Sequence, residues 1–395
     1  METPVVFISS NAWAVAAGVA LHSLVEHYKG SEKLNIYIFS QDMSEENEAR
    51  FRAYSTGNTE VSVIKVDASA WEKFAVKGHY VPPIVFLKCS LPRLLPQYER
   101  ILCLDIDILV QKDISALMNT DLEGKYAVGV LDMTAMVDLG WHDRLNRVKY
   151  LNTGVLLLNA KRLRDEQLEE KIFAVREAHP EYQCMEQDAF NDVFHDEVKY
   201  VSPIWNLMSY NLWINPYSSH SIEQINDFYT LKYTDVTELE QDAAIVHLTN
   251  TFKPWEYEDA YMSDAWMAAF QQSRFSDIHL NLKRISPTAV HSEDGNIVHV
   301  IKRVGPFVKD WTKEVTTLQF FGIPLVQKTR GKRVTCIKVG PISVARRERA
   351  HGKERIFVFG FLVKETDCTE GLNGDEVIEQ QLDLLDQMRE GHDQL

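Results

Sequence analysis

The stretch Leu104-Asp105-Ile106-Asp107-Ile108-Leu109-Val110 carries two aspartates, two positions apart, on an apolar background. Because the side chains of a strand alternate between its faces, Asp105 and Asp107 are predicted to point one way while Ile106 and Ile108 point the other. Two carboxylates at the end of a buried strand repel each other and lose hydration unless a cation joins them. Oxygen ligands of this kind suit a hard divalent ion such as Mn²⁺ or Mg²⁺. A solvated turn with two acidic residues is the alternative interpretation, and the pattern alone leaves both open.

The sequence around this stretch predicts strands that alternate with helices. The short apolar runs that predict strands lie at 5–9, 34–39, 61–66 and 101–104. Helices are predicted up to His27 and from Glu45 to Ala53, the second with Ser44 as its N-cap. This alternation predicts an α/β fold with a mostly parallel sheet. Ligands of such sheets bind at the carboxyl ends of the strands, where Asp105 and Asp107 are expected.

The bulk composition indicates a globular protein with one large domain and a small appendage. The chain has 395 residues, of which 45% are hydrophobic and 25% charged, so a sizeable core is expected. Its formal net charge of −15 argues against a nucleic-acid-binding protein. The five cysteines are scattered without CxxC spacing, which predicts reduced thiols and no zinc site.

The apolar segment Val5–Val25 has the pattern of neither a signal peptide nor a membrane span. A signal peptide begins with basic residues, but no Lys or Arg precedes Lys29. A span needs about 20 uninterrupted apolar residues, and Asn11 and His22 interrupt this segment. We therefore expect a cytoplasmic protein that is neither exported nor integral to a membrane.

The alternating pattern weakens after Phe275, and a different organisation follows. Three segments, Phe321–Val326, Val339–Val344 and Phe359–Val363, resemble one another, and their glycines lie 18 and 20 residues apart. A small stacked β unit would explain this period. The predicted parts of the chain are an α/β catalytic domain at 1–275, a linker at 276–300, a basic β-rich accessory unit with glycine-spaced repeats at 301–365 and an acidic helical tail at 366–395.

The C-terminal part separates its charges. Residues 328–364 carry eleven Lys or Arg and two acidic residues, a net of +9, and residues 365–395 carry ten acidic residues and one Arg, a net of −9. One interpretation is that the basic unit and the acidic tail fold against each other. The other is peripheral docking of 328–364 on an anionic membrane, where each basic residue contributes about 1 kcal/mol. A nucleic-acid partner is disfavoured, because the aromatic residues here have the pattern of core residues and not of a stacking surface.

Four segments of the chain together resemble one enzyme family. They are Tyr98–Val110, Leu151–Asn159, Glu186–Asn191 and His247–Trp255, in this order. The resemblance is to glycosyltransferase family 8, which includes glycogenins and bacterial lipopolysaccharide galactosyl- and glucosyltransferases, and it covers roughly residues 4–270. It implies a GT-A-like nucleotide-binding core and retaining transfer of a hexose, with glucose or galactose favoured, from a UDP-sugar. It also implies Mn²⁺ or Mg²⁺ and a glycan or lipid-linked oligosaccharide acceptor.

The resemblance also assigns roles to individual residues. The implied metal ligands are Asp105, Asp107 and His247; the implied donor-binding residues are Ser9, Asn11, Lys88, Asp132 and Lys253; the implied catalytic residues are Gln187, Glu186, Asp188 and Asn152. The residues allow plainer interpretations as well. His247 follows an apolar run and can be a hydrogen-bonded core histidine, and the acidic residues from Glu186 can simply start a helix. Asn152 is predicted in an Asn-Thr-Gly turn, where Gly154 permits close backbone approach.

The chain departs from the family pattern at several of these positions. Ser10 and Asn11 stand where many relatives carry an acidic pair near the uracil. Lys88 replaces an arginine and so lacks its planar fork. Glu186 replaces an aspartate and reaches one methylene further, and Asn250 replaces a glycine in the loop after His247.

Two other classes of function are alternatives to glycosyl transfer. A sugar-1-phosphate nucleotidyltransferase needs a Gly-rich basic loop after the first strand, but Ser9–Gly18 contains no Lys or Arg. A non-catalytic glycan or membrane adaptor is expected to have lost its site residues, whereas Asp105, Asp107 and His247 are all present.

Overall fold

The computed structural model describes residues 2–74, 83–137, 145, 148–182, 184–212, 220–249 and 252–284 with their side chains, and the backbone of nine further strands between 289 and 367. The chain divides into two compact units, Met1–Ile285 and Ser286–Leu395. The acidic tail predicted at 366–395 lies outside the described residues from 368 onward.

The first unit is built on a mixed sheet of seven strands. The strands of this unit are β1 Val5–Ile8, β2 Leu34–Ser40, β3 Thr59–Lys65, β4 Ile101–Leu104, β5 Ile108–Val110, β6 Ala127–Leu131, β7 Leu151–Leu158, β8 Val198–Tyr200, β9 Leu207–Met208 and β10 Ile245–His247. The large sheet has the order β3-β2-β1-β4-β7-β6-β8. Four of its pairings are parallel, and β7 runs antiparallel to both β4 and β6. The predicted α/β fold with a mostly parallel sheet is therefore confirmed, with one reversed strand.

Helices cover the sheet. Within the described residues they are α1 Ala14–His27, α2 Glu45–Arg52, α3 Ser69–Glu72, α4 Leu87–Leu94, α5 Ser115–Met118, α6 Met133–Val137, α7 Ala160–Asp165, α8 Leu168–Ala178, α9 Met185–Phe194, α10 Ile222–Tyr229, α11 Val236–Asp242 and α12 Ser263–Gln272. The predicted N-cap of α2 is confirmed, because the Ser44 hydroxyl accepts a hydrogen bond of 3.2 Å from the Asn47 amide. None of these helices is both long and apolar enough to cross a bilayer.

The sheet is buried on both faces. Val5 and Phe7 of β1 belong to one hydrophobic cluster, while Val6 between them belongs to a second. Strand β4 divides in the same way, with Leu102 and Leu104 in the first cluster and its other two residues in the second. This arrangement explains why the strands read as continuous apolar runs in the sequence.

A small second sheet lies beside the large one and carries part of the site. Its order is β5-β10-β9, with β10 antiparallel to β5 and parallel to β9. Ile108 of β5 pairs with His247, the last residue of β10. The prediction that His247 ends a strand is therefore confirmed.

The second unit forms one antiparallel sheet in sequence order. Its strands are β11 Ala289–His291, β12 Val298–Val304, β13 Phe307–Trp311, β14 Val315–Phe320, β15 Ile323–Arg330, β16 Val334–Val339, β17 Ile342–Ala350, β18 Lys353–Val358 and β19 Phe361–Asp367. Strand β11 lies within the segment predicted as a linker. The repeated glycines fall between the strands of the pairs β14–β15, β16–β17 and β18–β19, and each of these pairs has one register shift. The sequence period therefore corresponds to a β-hairpin.

Candidate active site

The two aspartates lie in the three-residue segment that joins the large sheet to the small one. Strand β4 ends at Leu104 and β5 begins at Ile108, so the prediction that Asp105 and Asp107 lie on a strand is wrong. The backbone holds the segment from two sides. The Asp105 amide donates to the Gly154 carbonyl at 2.8 Å, and the Asp107 carbonyl accepts from the Leu248 amide at 2.7 Å. The two side chains converge because the chain bends here, and not because strand residues alternate.

His247 completes a cluster with the two aspartates. Its Nε2 lies 3.2 Å from Oδ1 of Asp107 and 3.8 Å from Oδ2 of Asp105. One ligand atom from each of the three residues lies within 4.8 Å of the others. The imidazole is buried, while Asp105 is 36% exposed, so the cluster opens toward solvent on the Asp105 side.

Two lysines hold the outer oxygens of the acidic pair. Lys88 Nζ donates to Oδ1 of Asp105 at 2.9 Å, to the Thr153 carbonyl at 3.1 Å and to Oε1 of Glu186 at 3.1 Å. Lys253 Nζ donates to Oδ2 of Asp107 at 2.8 Å and to the Leu248 carbonyl. The oxygens that face His247 are therefore the ones that the lysines leave available.

The charges of this network shift several pKa values. Burial alone raises the pKa of Asp107, but Lys253 and His247 outweigh it and hold that pKa well below its usual range. Burial alone lowers the pKa of Lys88, yet the neighbouring carboxylates hold it well above its ordinary value. Burial raises the pKa of Glu186, and Lys88 opposes part of that rise. Lys88 is accordingly a permanent cation between two buried or half-buried acids.

Gly154 lies against the ring of His247. A β-carbon added to it would stand 2.1 Å from Cε1 of His247 and 2.6 Å from Nδ1. Its carbonyl accepts from the Asp105 amide, and its own amide donates to Oδ1 of Asn152 at 3.0 Å. The close approach predicted for Gly154 is thus made by the imidazole of His247. Gly154 and Asn152 lie within strand β7, so the predicted Asn-Thr-Gly turn is wrong.

A second group of polar side chains is buried beside the first. Nδ2 of Asn152 donates to Oδ2 of Asp132 at 3.0 Å, and Oδ1 of Asp132 accepts from the Ala135 amide at 2.9 Å. Tyr210 also donates to Asp132, whose pKa is raised by burial. Asn206 connects this group to the cluster, because it donates to Oδ1 of Asn152 at 2.9 Å and approaches Nδ1 of His247 at 3.0 Å.

Gln187 and Asp188 differ in how they are held. Oε1 of Gln187 accepts from the amide of Thr153 at 2.9 Å and from its hydroxyl at 3.3 Å, which fixes the carboxamide beside strand β7. Asp188 is fully buried, and its two oxygens accept from the Tyr150 hydroxyl and the Cys184 amide. Gln187 is therefore half-exposed at the site, whereas Asp188 is buried in the protein interior.

Ser9 and Asn11 follow β1 at the same edge of the sheet, since Phe7 pairs with Leu104. Neither is hydrogen-bonded to the acidic cluster in the contacts among described residues. The Asn11 carboxamide oxygen accepts from the Ser44 amide and from Nδ2 of Asn47, which ties it to the start of α2. Two residues further on, Trp13 meets Trp255 edge to face with ring centroids 5.8 Å apart.

The donor set fits a hard divalent cation. Carboxylate oxygens and an imidazole nitrogen suit Mn²⁺ and Mg²⁺, and the two inner oxygens and Nε2 of His247 already converge. The outer oxygens are engaged by lysines, which orients the inner ones. Asp105, Asp107 and His247 are therefore a candidate metal site.

The sequence pattern does not single out Asn206, which the structure adds to the site. The residue is fully buried at the end of a short helical turn, Pro203–Trp205. A polar side chain within the apolar segment Ile204–Met208 was the available signal, because a buried amide must find partners for both ends of its group.

Comparison with known proteins identifies the family. Residues 4–259 match the family described as Glycosyl transferase family 8. The chain belongs to this family. The predicted resemblance is confirmed, and membership favours glycosyl transfer over nucleotidyl transfer. Family 8 proteins of the GT-A fold use a nucleotide sugar as donor and a glycan as acceptor.

Individual family 8 relatives are distant in sequence. General stress protein A of Bacillus subtilis is 23% identical over 65% of this chain and 91% of its own length. A lipopolysaccharide 1,2-glucosyltransferase of Escherichia coli is 21% identical over 70% of this chain and 76% of its own. The glycosyltransferase GlyF of Streptococcus pneumoniae is 21% identical over 98% of this chain and 99% of its own, so that match includes the second unit.

Solved structures share the fold of the first unit. The galactosyltransferase LgtC, crystallised with donor and acceptor sugar analogues, has a TM-score of 0.58 and 21% identity over 69% of this chain and 96% of its own. The glycosyltransferase GlyE of Streptococcus pneumoniae has a TM-score of 0.50 and 21% identity over 68% of this chain and 61% of its own. The predicted GT-A-like core is confirmed.

Proposed function

We propose that the protein transfers a hexose, glucose or galactose, from a UDP-sugar to a glycan or lipid-linked oligosaccharide, depends on Mn²⁺ and forms an α-linkage with retention. The observation that carries the proposal is the convergence of Asp105, Asp107 and His247 beside Lys253. The edge where they meet is the carboxyl end of β1 and β4 in a family 8 fold.

Different residues around the cluster are assigned to the cation, the diphosphate and the base of the donor. Asp105, Asp107 and His247 would hold the cation, which when bound neutralises charge on the departing diphosphate. Among the described residues, Lys253 donates hydrogen bonds to Asp107 and Leu248, and an ammonium group has three N–H donors. We assign its remaining N–H to a donor phosphate oxygen, and we assign the base end of the donor to Ser9, Asn11 and the edge near Trp13.

The sugar is assigned to the polar group on the other side of β7. Glu186, Asp132 and Asn152 offer carboxylate and amide groups for sugar hydroxyls, and their positions are fixed by Lys88, Tyr210 and Asn206. A pocket organised this tightly discriminates between epimers, because the wrong epimer leaves a buried polar group unpaired.

Retention is proposed to proceed by transfer on one face of the sugar. A covalent intermediate requires a nucleophile at the anomeric carbon, and the residue assigned there is Gln187, whose carboxamide is a weak nucleophile. The neighbouring carboxylate of Asp188 is fully buried with both oxygens paired, and that of Glu186 is held by Lys88. Gln187 then orients the donor without attacking it.

The test of the transfer is the release of UDP. The protein is incubated with Mn²⁺ and a panel of nucleotide sugars, with and without a small glycan acceptor, and UDP is quantified. Release from UDP-glucose or UDP-galactose above that from UDP-N-acetylhexosamines, GDP-sugars and ADP-sugars is the expected result. Product anomers are assigned by NMR, and a β-linked product or release only from another nucleotide sugar would contradict the proposal.

We also propose that the second unit associates peripherally with anionic membrane through residues 328–364, on the cytoplasmic face. The pairing register supports this, because residues paired directly across strands share a face. Strands β15–β19 place on one face the five basic residues Lys328, Arg330, Arg347, Arg349 and Lys364 with the acidic Glu354. The opposite face is more nearly balanced, because it carries four basic residues, Lys338, Arg346, Lys353 and Arg355, with three acidic ones, Glu348, Glu365 and Asp367.

Liposome co-sedimentation of the full chain tests the membrane proposal. Binding to vesicles with anionic lipid is expected at low salt and is expected to fall as salt screens the attraction within about 10 Å at 0.1 M. Reversal of Arg330, Arg347 and Lys364 to Glu should abolish binding. A matched reversal of Lys338, Arg346 and Lys353, from the opposite face, should weaken it less. Wild-type protein that stays in the supernatant at low salt would end the membrane proposal.

A further inference from the structure

A chain of buried hydrogen bonds links the sugar side of the site to the candidate metal ligand. It runs from Asp132 to Asn152 at 3.0 Å, from Asn152 to Asn206 at 2.9 Å and from Asn206 to Nδ1 of His247 at 3.0 Å. All four side chains are at most 6% exposed, and Asn206 is fully buried. No described residue other than these supplies a hydrogen-bond partner to the carboxamide of Asn206.

One backbone group sets the direction of every bond in this chain. The Gly154 amide can only donate, so the atom of Asn152 that receives it at 3.0 Å must be the carboxamide oxygen. The other end of Asn152 is therefore its NH₂, which donates to Asp132. Asn206 must then turn its own NH₂ to Asn152, which leaves its oxygen facing Nδ1 of His247. An oxygen in that position accepts, so Nδ1 carries a proton.

We infer that Asn206 is a positioning residue that keeps the His247 proton on Nδ1 and thereby leaves Nε2 as the nitrogen that is open to a cation beside Asp105 and Asp107. This inference rests on the proposed function. A flipped Asn206 would oppose its carboxamide oxygen to that of Asn152, so the network admits one arrangement. The same chain ties the orientation of Asn152, assigned to the sugar, to that of His247, assigned to the cation.

The alternative for His247 is visible in the structure. Oδ1 of Asp107 lies 3.2 Å from Nε2 and can accept a proton from it. Without Asn206, a neutral ring would therefore place its proton on Nε2, where it would stand in the way of a cation. Asn206 is the group that opposes this arrangement.

The first test reads the proton position directly, in protein without metal. Long-range ¹H–¹⁵N spectra of ¹⁵N-histidine-labelled protein distinguish the two tautomers of the neutral ring, and His247→Gln assigns the signal. Wild-type protein should show the Nδ1–H tautomer. Asn206→Asp should keep it, because a carboxylate still accepts from Nδ1, and Asn206→Leu should shift it to Nε2–H. Asn35→Leu, which replaces another buried asparagine distant from the site, should leave the signal unchanged.

The second test measures binding of Mn²⁺ in the presence of UDP. Asn206→Leu should weaken Mn²⁺ binding by about 10- to 100-fold, the usual effect of losing a hydrogen-bond partner of a metal-binding histidine. Asn206→Asp should weaken it less than Asn206→Leu. An Nε2–H tautomer in wild-type protein, which needs no variant to observe, overturns the inference, as does an unchanged tautomer in Asn206→Leu. A wild-type protein with the Nδ1–H tautomer that binds no Mn²⁺ refutes the proposed function alone.

Discussion

Lys88 and Lys253 hold the acidic pair from its two ends, and they differ in how much of their bonding capacity the protein uses. Lys88 is 3% exposed and donates to three acceptors, which saturates its ammonium group. Lys253 donates to two acceptors within the part of the chain that the structure describes. Lys88 therefore has no N–H left for a ligand, whereas the third N–H of Lys253 is the one that we propose to serve a donor phosphate.

The charge balance of the two ends differs as well. Lys88 is the counter-charge of both Asp105 and Glu186, whereas Lys253 faces one carboxylate, Asp107. Removing Lys88 therefore leaves two acids without their counter-charge, of which Glu186 is buried. Removing Lys253 strands one acid that His247 still contacts.

The strongest separation of the two ends is expected from Lys88→Met. The change should lower the free energy of unfolding by about 3–5 kcal/mol, the usual cost of removing one partner from a buried ion pair. Denaturant unfolding followed by circular dichroism measures it. Lys253→Met is the matched control and should cost less. Equal losses for the two variants would show that the two ends do not differ.

The Lys88→Met deficit should also depend on pH. Burial raises the pKa of Glu186 above its ordinary value of about 4.3, and loss of Lys88 removes the main effect that opposes this rise. The folded variant then holds a proton that its unfolded chain releases, so its stability falls as pH rises from about 4 through the raised pKa. The deficit relative to wild type should be smaller at acid pH than at neutral pH. A deficit that grows on acidification would contradict the placement of Glu186 beside Lys88.

The next effect concerns the transfer reaction, which should require both carboxylates of the acidic pair. Asp105→Asn and Asp107→Asn should each lower UDP release by about 100-fold or more, because a bound cation contributes several kcal/mol to stabilising the leaving group. EDTA should have the same effect on wild-type protein, and Mn²⁺ should reverse it. Asp277→Asn, at an exposed surface position, is the control. Full activity in EDTA would remove the metal from the proposal.

A smaller effect is expected from substitution of Lys253. Lys253→Met should weaken UDP and the UDP-sugar by a similar factor of about 10 to 100, because a hydrogen bond to a charged group contributes about 1.5–3 kcal/mol. Isothermal titration calorimetry measures both affinities. If UDP binds Lys253→Met as well as it binds wild-type protein, the third N–H of Lys253 does not serve a phosphate.

The smallest effect concerns the choice of sugar. UDP-glucose and UDP-galactose should differ by about tenfold or more in kcat/KM, since a mismatched hydroxyl costs about 1–3 kcal/mol against Glu186, Asp132 and Asn152. Glu186→Asp shortens the reach of that carboxylate and should narrow the difference. Equal use of both sugars by wild-type protein would argue against these contacts.

The sequence predicts the strands of the first unit well and the conformation of the site poorly. Strands β1, β2 and β4 are readable because burial on both faces produces continuous apolar runs. The bend at Asp105–Asp107 cannot be predicted from the local sequence. It depends on the pairing of Ile108 with His247, a residue far along the chain. Local residue types predict a turn at Asn152. It lies in a strand because β4 and β6 pair with β7 on both sides, and Gly154 is needed for the His247 ring.

Each hairpin of the second unit contains one register shift, and this regularity affects how the length of the unit can change in evolution. Strands β14–β15, β16–β17 and β18–β19 each form a complete up-and-down pair with its own register shift. Deletion or duplication of one pair, such as 334–350, restores the direction of every following strand, because two reversals cancel. Deletion of a single strand would invert all that follow it. The length of this unit is therefore expected to vary among descendants by whole hairpins, in steps of about 18 to 20 residues that match the glycine spacing.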